Sequence, residues 1–207
     1  MSLSSNKIES LFRRTLRLAE GGWGDTHPNP MVGALIVEDG EVIAEGYHKR
    51  VGGPHAEVEA LQKLGRSPRS GAALFISLEP CSSHGKTPPC TRAILKSGIK
   101  QVYVACIDPN PKHSGVGISR LREAGVKVEV AEPEIRSLAE RLNFIFIHNM
   151  QTGSPLIALK IAESANGMIA ETHGRPSKVT ENEALSDVMN WRGLFPAICV
   201  GNESILS

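Results

Sequence analysis

The stretch that decides the fold is residues 78–90, LEPCSSHGKTPPC, together with the earlier tripeptide His55-Ala56-Glu57. The two stretches supply an imidazole from His55 and two thiolates from Cys81 and Cys90. These are ligand types that zinc prefers, and a catalytic zinc site uses three of them plus a water, whereas a structural site uses four protein ligands. Only three convincing ligands are found, so the sequence predicts a zinc site with one open position.

Glu57 lies two residues after His55, where a carboxylate can move protons at the open position. The pattern His-x-Glu followed by Pro-Cys-x-x-Cys is the signature of zinc deaminases that act on bases. This chain keeps the first half and Pro80-Cys81, but places eight residues between the cysteines instead of two. Two alternatives stay open: Glu57 is a solvated glutamate favoured by a helix dipole, or His84 closes a structural zinc site.

Hydrophobic periodicity places these motifs on an α/β framework. Asp39-Gly40 indicates a hairpin, and the metal ligands fall after strand ends and at helix starts, where open α/β sheets bind ligands. The result is an α/β fold with a mixed sheet of five strands. Helices are predicted over residues 5–20, 57–64, 91–96, 117–124 and 134–149, and strands over 31–37, 42–47, 72–78, 101–107 and 126–130.

After residues 152–155 (TGSP) the pattern restarts. Strands are predicted over residues 156–162, 168–171 and 197–200, with a turn at Asn166-Gly167 and a helix over 181–191. About 50 residues of this kind are too few to close a core alone. We therefore expect one domain over residues 1–150 and the beginning of a second over 151–207. Cys106 and Cys199 lie in apolar runs and are predicted to be buried rather than metal-bound.

Bulk composition narrows the class of protein. The 207 residues carry a formal net charge of +1, which gives no basic surface for nucleic acid. There is no apolar run near the ~18 residues that span a membrane, and the first ten residues lack a signal-peptide core. We therefore expect a cytoplasmic enzyme without nucleic-acid or membrane partners.

Four stretches together resemble the riboflavin-biosynthesis family of bifunctional deaminase–reductase proteins. The wide-spaced cysteine motif of residues 78–90 carries the resemblance, supported by residues 29–33 (NPMVG), 46–48 (GYH, leading to His55) and 108–111 (DPNP). The likeness runs from about residue 10 to residue 150. It implies a cytidine-deaminase-like three-layer α/β/α fold.

The resemblance also implies a reaction and a set of site residues. The expected reaction is zinc-dependent hydrolytic deamination of 2,5-diamino-6-ribosylamino-4(3H)-pyrimidinone 5′-phosphate to 5-amino-6-ribosylamino-2,4-pyrimidinedione 5′-phosphate, with release of ammonia. Glu57 is the expected catalytic residue. By the same resemblance, the substrate-binding positions are Asn29, His48, Lys86, Asp108 and Asn110.

Residues 154–207 resemble the start of the reductase half of the same family, which is similar to dihydrofolate reductase and uses NADPH. Here the family's Ser-Leu-Asp-Gly is Ser164-Ala165-Asn166-Gly167, so an amide replaces the usual acid. We expect no reductase step from this chain, and NADPH binding only if a complete reductase domain were present. The resemblance further implies a homo-oligomer.

Two other functions compete with this interpretation. One is deamination of another base, such as a nucleoside or a tRNA adenosine, which the cysteine spacing and low net charge disfavour. The other is a zinc-stabilised domain without catalysis, which Glu57 disfavours. Four further histidines have no supporting motif and are expected on the surface or in the core: His27, His113, His148 and His173.

Overall fold

The computed structural model describes residues 3–84, 88–169 and 179–200. The chain divides into two compact units, Met1–Pro155 and Leu156–Ser207. Among the described residues, no helix combines the length and the apolar character that crossing a membrane requires.

The first unit contains all five predicted strands, and four of its helices lie close to their predicted bounds. Each strand begins or ends within a few residues of the predicted range, as is usual for boundaries drawn from periodicity. The elements are α1 (Ser5–Ala19), a 3-10 turn (Glu20–Gly22), β1 (Gly33–Glu38), β2 (Glu41–Tyr47), α2 (Ala56–Leu64), β3 (Ala73–Ile76), α3 (Cys90–Ser97), β4 (Gln101–Val104), α4 (Val116–Glu123), β5 (Lys127–Val130), α5 (Pro133–Leu142) and α6 (Phe144–Thr152).

The five strands form one mixed sheet in the order β2-β1-β3-β4-β5. Strand β1 pairs antiparallel with β2 and β3, while β3, β4 and β5 run parallel. The β1–β2 hairpin turns at Asp39 and Gly40, which have φ of 51° and 82°. Two successive positive φ values are the type I′ geometry that matches strand twist, so the predicted hairpin and mixed sheet are confirmed.

Alternate side chains of the central strands pack into two separate hydrophobic cores, one on each face of the sheet. On β3, Leu74 and Ile76 join a cluster that includes Ile94 of α3 and Leu121 of α4. Phe75 faces the other way and packs with residues of α1 and α5. The period-two alternation of a strand therefore produces the predicted three-layer α/β/α arrangement.

A close approach of α2 to β2 brings the helix start to the edge of the sheet. A Cβ atom added to Gly46 would lie 2.5 Å from the backbone nitrogen of Ala60 and 2.6 Å from the carbonyl oxygen of Ala56. Only glycine leaves room for this contact. The contact sets the position of His55, the N-cap of α2, and of Glu57 in its first turn.

The single long helix predicted over residues 134–149 is wrong, because the chain breaks at Asn143 into α5 and α6. The buried Asn143 amide accepts the N–H of Met31 at 2.8 Å and donates to the Met31 carbonyl at 2.9 Å. Asn143 thereby satisfies both backbone groups of a residue just before β1. Helical periodicity continues on both sides of Asn143, so apolar spacing alone gave no sign of this long-range contact.

The strands predicted in the second unit do not form among its described residues. Residues 156–162 are irregular, and Ile157 and Leu159 are 88% and 85% exposed. Residues 197–200 are also not a strand, and Cys199 is exposed rather than buried. A strand needs a hydrogen-bonded neighbour, and these apolar segments have none among the described residues.

The helix and the turn predicted for the second unit are both present. A helix is present, α7 (Asn182–Leu194). The Asn166-Gly167 turn is present, with a hydrogen bond of 2.8 Å from the Gly167 N–H to the Ser164 carbonyl. The predicted strand over residues 168–171 falls partly outside the described residues. The assignment of residues 151–207 to a reductase-like domain stays a prediction.

An ion pair between buried Glu38, at the end of β1, and exposed Arg66 gives the first unit a pH-dependent stability. The Glu38 carboxylate receives two guanidinium bonds from Arg66, at 2.9 and 2.7 Å, and the N–H of Arg69 at 2.8 Å. The hydrogen bonds from Arg66 lower the pKa of Glu38 from 4.5 to about 2. A carboxyl with a depressed folded pKa stabilises the fold above pH 4.5, and this contribution is lost as the pH falls through about 2.

We therefore expect Glu38→Gln to be less stable than the wild type at pH 7, with a difference that shrinks steadily below pH 4.5. Urea unfolding at pH 7, 4 and 2.5 measures the difference in the free energy of unfolding. Glu41→Gln is the control, since its 82% exposed side chain pairs with Lys7 only at 3.6 Å. A difference for Glu38→Gln that is constant across these pH values would contradict the expectation.

Candidate zinc centre and pocket

Three side chains from separate parts of the sequence meet at one edge of the sheet. His55 precedes α2, Cys81 follows β3 by five residues, and Cys90 is the first residue of α3. The Nδ1 atom of His55 lies 3.1 Å from the Sγ of Cys90 and 3.6 Å from the Sγ of Cys81. All three donor atoms lie within 4.8 Å of one another, so the residues predicted as metal ligands are together.

Hydrogen bonds within the cluster shift the pKa values of the two thiols in opposite directions. The Cys90 thiol and the imidazole of His55 lower the pKa of Cys81 to about 4. The same contact with Cys81, together with burial, raises the pKa of Cys90. The hydrogen bond to Cys81 in turn raises the pKa of His55. Cys81 is thus the thiol of the pair that loses its proton more readily, and the backbone N–H of Cys90 also donates to its Sγ, at 3.2 Å.

This arrangement fits zinc. Zinc bonds of about 2.0 Å to nitrogen and 2.3 Å to sulfur in a tetrahedral site place the ligand atoms roughly 3.5 Å apart, close to the separations found here. Among the described residues, the cluster contains only His55, Cys81 and Cys90. His84 is exposed and outside the cluster, so a fourth coordination position is left for a small molecule.

Glu57 lies in the first turn of α2, beside the cluster but outside it. The residue is 2% exposed, and its Oε2 atom is buried without a hydrogen-bond partner. Burial raises the pKa of this carboxyl group above its usual value. A buried, unpaired carboxylate oxygen is costly and is characteristic of functional sites. These facts exclude the alternative of a solvated helix-start glutamate.

A pocket of about 210 Å³ opens beside His55, Glu57 and Cys81. Four of the five residues predicted to bind substrate line it, and Lys86 lies outside the described residues. The pocket also contains residues to which the sequence analysis gave no role, including His113, which was expected on the surface or in the core. The lining residues are Asn29, Pro30, Val32, His48, His55, Glu57, Leu78, Glu79, Cys81, Asp108, Asn110, His113, Phe146 and Met150.

His48 and Asn29 form a short hydrogen-bonded chain at one wall of the pocket. The Nδ1 of His48 lies 3.0 Å from the Pro54 carbonyl oxygen, and its Nε2 lies 3.2 Å from the Nδ2 of Asn29. A carbonyl can only accept, so Nδ1 carries the proton, and burial lowers the pKa of His48, which favours the neutral ring. Nε2 therefore accepts from the Asn29 amide. Asn29 and His48 both line the pocket, so this pair is within reach of a ligand.

The segment after β4 forms another part of the pocket wall. The Oδ1 of Asp108 accepts the N–H of Asn110 at 2.8 Å, and the Oδ1 of Asn110 accepts the N–H of Lys112 at 3.0 Å. These side chains therefore build the turn expected from the DPNP sequence while also lining the pocket. Burial raises the pKa of Asp108.

Sequence reasoning missed Phe146, Met150 and Glu79. Phe146 and Met150 are four residues apart on one face of α6, a spacing that marks a helix face but not a pocket wall. Glu79 belongs to the cysteine motif of residues 78–90. A charged residue directly after a buried strand was the one sign in the sequence that Glu79 has a specific role.

The comparisons with known proteins agree with this site. Residues 5–106 match the family model for the cytidine and deoxycytidylate deaminase zinc-binding region. The class of the domain is therefore that of the zinc-binding deaminases, as the cysteine motif predicted.

Within that class, the chain is similar along almost its whole length to riboflavin biosynthesis proteins named RibD. It is 42% identical over 199 residues to riboflavin biosynthesis protein RibD of Escherichia coli K12, covering 96% of this chain and 53% of that protein. RibD of Acinetobacter baumannii has 40% identity and a TM-score of 0.84, covering 91% of this chain and 52% of that one.

A third relative carries both activities in its name. It is the diaminohydroxyphosphoribosylaminopyrimidine deaminase/5-amino-6-(5-phosphoribosylamino)uracil reductase of Thermotoga maritima, at 39% identity and a TM-score of 0.89. The match covers 97% of this chain and 57% of that one. The chain thus spans about half the length of the relatives that it matches.

Proposed function

We propose that this chain deaminates 2,5-diamino-6-ribosylamino-4(3H)-pyrimidinone 5′-phosphate by zinc-dependent hydrolysis. The product is 5-amino-6-ribosylamino-2,4-pyrimidinedione 5′-phosphate, with ammonia released. One observation carries the proposal: a buried Glu57 carboxylate with an unpaired oxygen faces the same pocket as an open His55–Cys81–Cys90 cluster.

The chemical need for such a site is clear from the substrate. The carbon that bears the 2-amino group is part of a cyclic amidine and resists attack by neutral water. Zinc held by His55, Cys81 and Cys90 would lower the pKa of a water molecule from 15.7 to about 7. No fourth ligand among the described residues competes for that position.

Glu57 carries the proton transfers in this proposal. Its carboxylate takes a proton from the attacking water while an oxygen–carbon bond forms at C2. The proton passes to a ring nitrogen. Glu57 then moves the proton of the new C2 hydroxyl group to the amine as the carbon–nitrogen bond breaks, the C2 carbonyl forms and ammonia leaves. The raised pKa of Glu57 suits a group that acts first as base and then as acid.

The pocket walls supply substrate recognition. In this proposal the Asn29 side-chain oxygen accepts an N–H from an amino substituent of the diaminopyrimidinone ring. Asp108 and Asn110 also line the pocket and provide further acceptors and donors. Lys86 is proposed from the family resemblance to meet the phosphate or a ring oxygen, since an ammonium serves as a point charge for either.

Ammonia release from the pyrimidinone ribotide tests this function. We expect the zinc-loaded wild type to turn over the ribotide at least a hundredfold more efficiently than cytidine, guanine or tRNA, measured as kcat/KM. Preferred turnover of any member of that panel would assign the site to another base. A zinc-loaded chain that releases no ammonia from any of them would contradict a deaminase function.

We also propose that the chain has no nucleic-acid partner and forms a homo-oligomer. A net charge of +1 supports the absence of a nucleic-acid partner, and the family resemblance supports a homo-oligomer. Sedimentation equilibrium of the zinc-loaded chain at micromolar concentration measures the assembly state directly.

A further inference from the structure

Glu79 is an acid in the pocket region that the proposed reaction does not use. It lies two residues before the metal ligand Cys81 and is 5% exposed. A buried carboxylate must be paired or fully hydrogen-bonded. Its partners therefore show what holds it in place.

Four backbone N–H groups from one later segment of the chain donate to this single carboxylate. The Oε2 atom accepts from Asp108 at 3.1 Å and from Gly115 at 2.8 Å. The Oε1 atom accepts from Gly117 at 2.8 Å and from Ile118 at 3.2 Å. Both oxygens are thus bonded to the pocket-lining turn and to the start of α4.

Glu79 replaces the missing cap of α4. The N-cap residue Gly115 makes no side-chain cap hydrogen bond, so the first N–H groups of the helix need an acceptor from elsewhere. A carboxylate at a helix N-terminus also benefits from the helix dipole. Here the acceptor comes from the segment that carries a metal ligand, so helix capping and metal-site geometry are coupled.

Two more contacts tie the same segment to α4. A Cβ atom added to Gly117 would lie 2.1 Å from the Pro80 carbonyl oxygen, so the helix backbone packs directly against the residue before Cys81. The guanidinium of Arg120 donates to the Ser82 carbonyl, on the other side of Cys81. Cys81 is therefore flanked on both sides by contacts to α4.

We propose that Glu79 is a positioning residue that fixes residues 108–118, and with them the side chains of Asp108 and Asn110, relative to the metal ligand Cys81. This inference rests on the proposed function, in which Asp108 and Asn110 hold the substrate beside Glu57. Glu79 itself takes no part in proton transfer. A displacement of about 1 Å in such a wall can cost about a hundredfold in rate.

The test variant is Glu79→Gln, which keeps the side-chain shape but turns one oxygen into an N–H donor that faces two other donors. Hydrogen–deuterium exchange of residues 107–118 in the zinc-loaded protein is expected to accelerate at least tenfold. We expect KM for the ribotide to rise at least tenfold, with a smaller fall in kcat and an unchanged zinc content. Glu79→Asp keeps the charge but is one methylene shorter, so its exchange should be intermediate.

Glu123→Gln is the matched control, since Glu123 is an exposed glutamate in the last turn of α4, and its exchange and KM should equal those of the wild type. Unchanged exchange in Glu79→Gln, or a lower Tm with KM unchanged, would overturn the proposal. Loss of zinc would also overturn it, because Glu79 would then be supporting the metal site rather than the substrate wall. If the wild type releases no ammonia, the proposed function fails, while the exchange measurement still decides whether Glu79 fixes the segment.

Discussion

Glu57→Gln is expected to keep its zinc and lose at least a thousandfold in kcat. General acid–base catalysis contributes typically 10²–10⁴-fold, and this carboxylate is the buried group beside the open coordination position. The amide keeps the shape of the side chain but cannot accept and return a proton. Ammonia release from the ribotide, with zinc content determined on the same sample by atomic absorption, measures both quantities.

Glu59→Gln is the matched control for this experiment. Glu59 lies on the same helix two residues later, but its carboxylate pairs with Lys49 at 2.7 Å, away from the metal ligands. We expect Glu59→Gln to retain kcat within about threefold. Equal losses in both variants would mean that α2 is disturbed as a whole. Full activity in Glu57→Gln would remove the proton shuttle from the proposal.

The metal ligands and Glu57 could be predicted from the sequence because their chemistry leaves few alternatives. A histidine, two cysteines and a glutamate two residues from the histidine are rare in combination, and the strand and helix pattern placed them at one sheet edge. The pocket walls were harder to predict. Asn29, His48, Asp108 and Asn110 were identified through family resemblance, since by spacing alone Asp108 and Asn110 are only turn residues.

The features that escaped prediction all depend on contacts between distant parts of the chain. Asn143 breaks a helical period through a bond to Met31, 112 residues away. Glu79 caps a helix that begins 37 residues later. Residues 156–162 form an apolar run of the length of a strand, but a strand forms only when a neighbour supplies its hydrogen bonds. Local sequence patterns therefore predicted most helices and strands. The helix break, the helix cap and the strand pairing depended on residues that are distant in the sequence.

Cys90→Ala is expected to abolish zinc binding and reduce ammonia release to background, whereas Cys106→Ala should retain both. The two cysteines are similarly buried, at 1% and 4% exposure, so the loss of a buried sulfur is matched between the variants. Only Cys90 contributes a donor atom to the cluster. Burial raises the pKa of Cys106 to about 12, which keeps it a neutral thiol, and its Sγ donates to the Ile107 carbonyl at 3.2 Å.

Thermal unfolding with and without a chelator separates metal loss from a packing defect. A ligand that binds only the folded state stabilises it by about 2.7 kcal/mol at a hundredfold excess over Kd. The chelator should therefore lower the Tm of the wild type and of Cys106→Ala by several degrees, but leave the Tm of Cys90→Ala unchanged. Retention of one zinc per chain by Cys90→Ala would show that the ligand set is wrong. Since Cys90 is the first residue of α3 and His55 is the N-cap of α2, a zinc ion bound as proposed also joins the starts of these two helices.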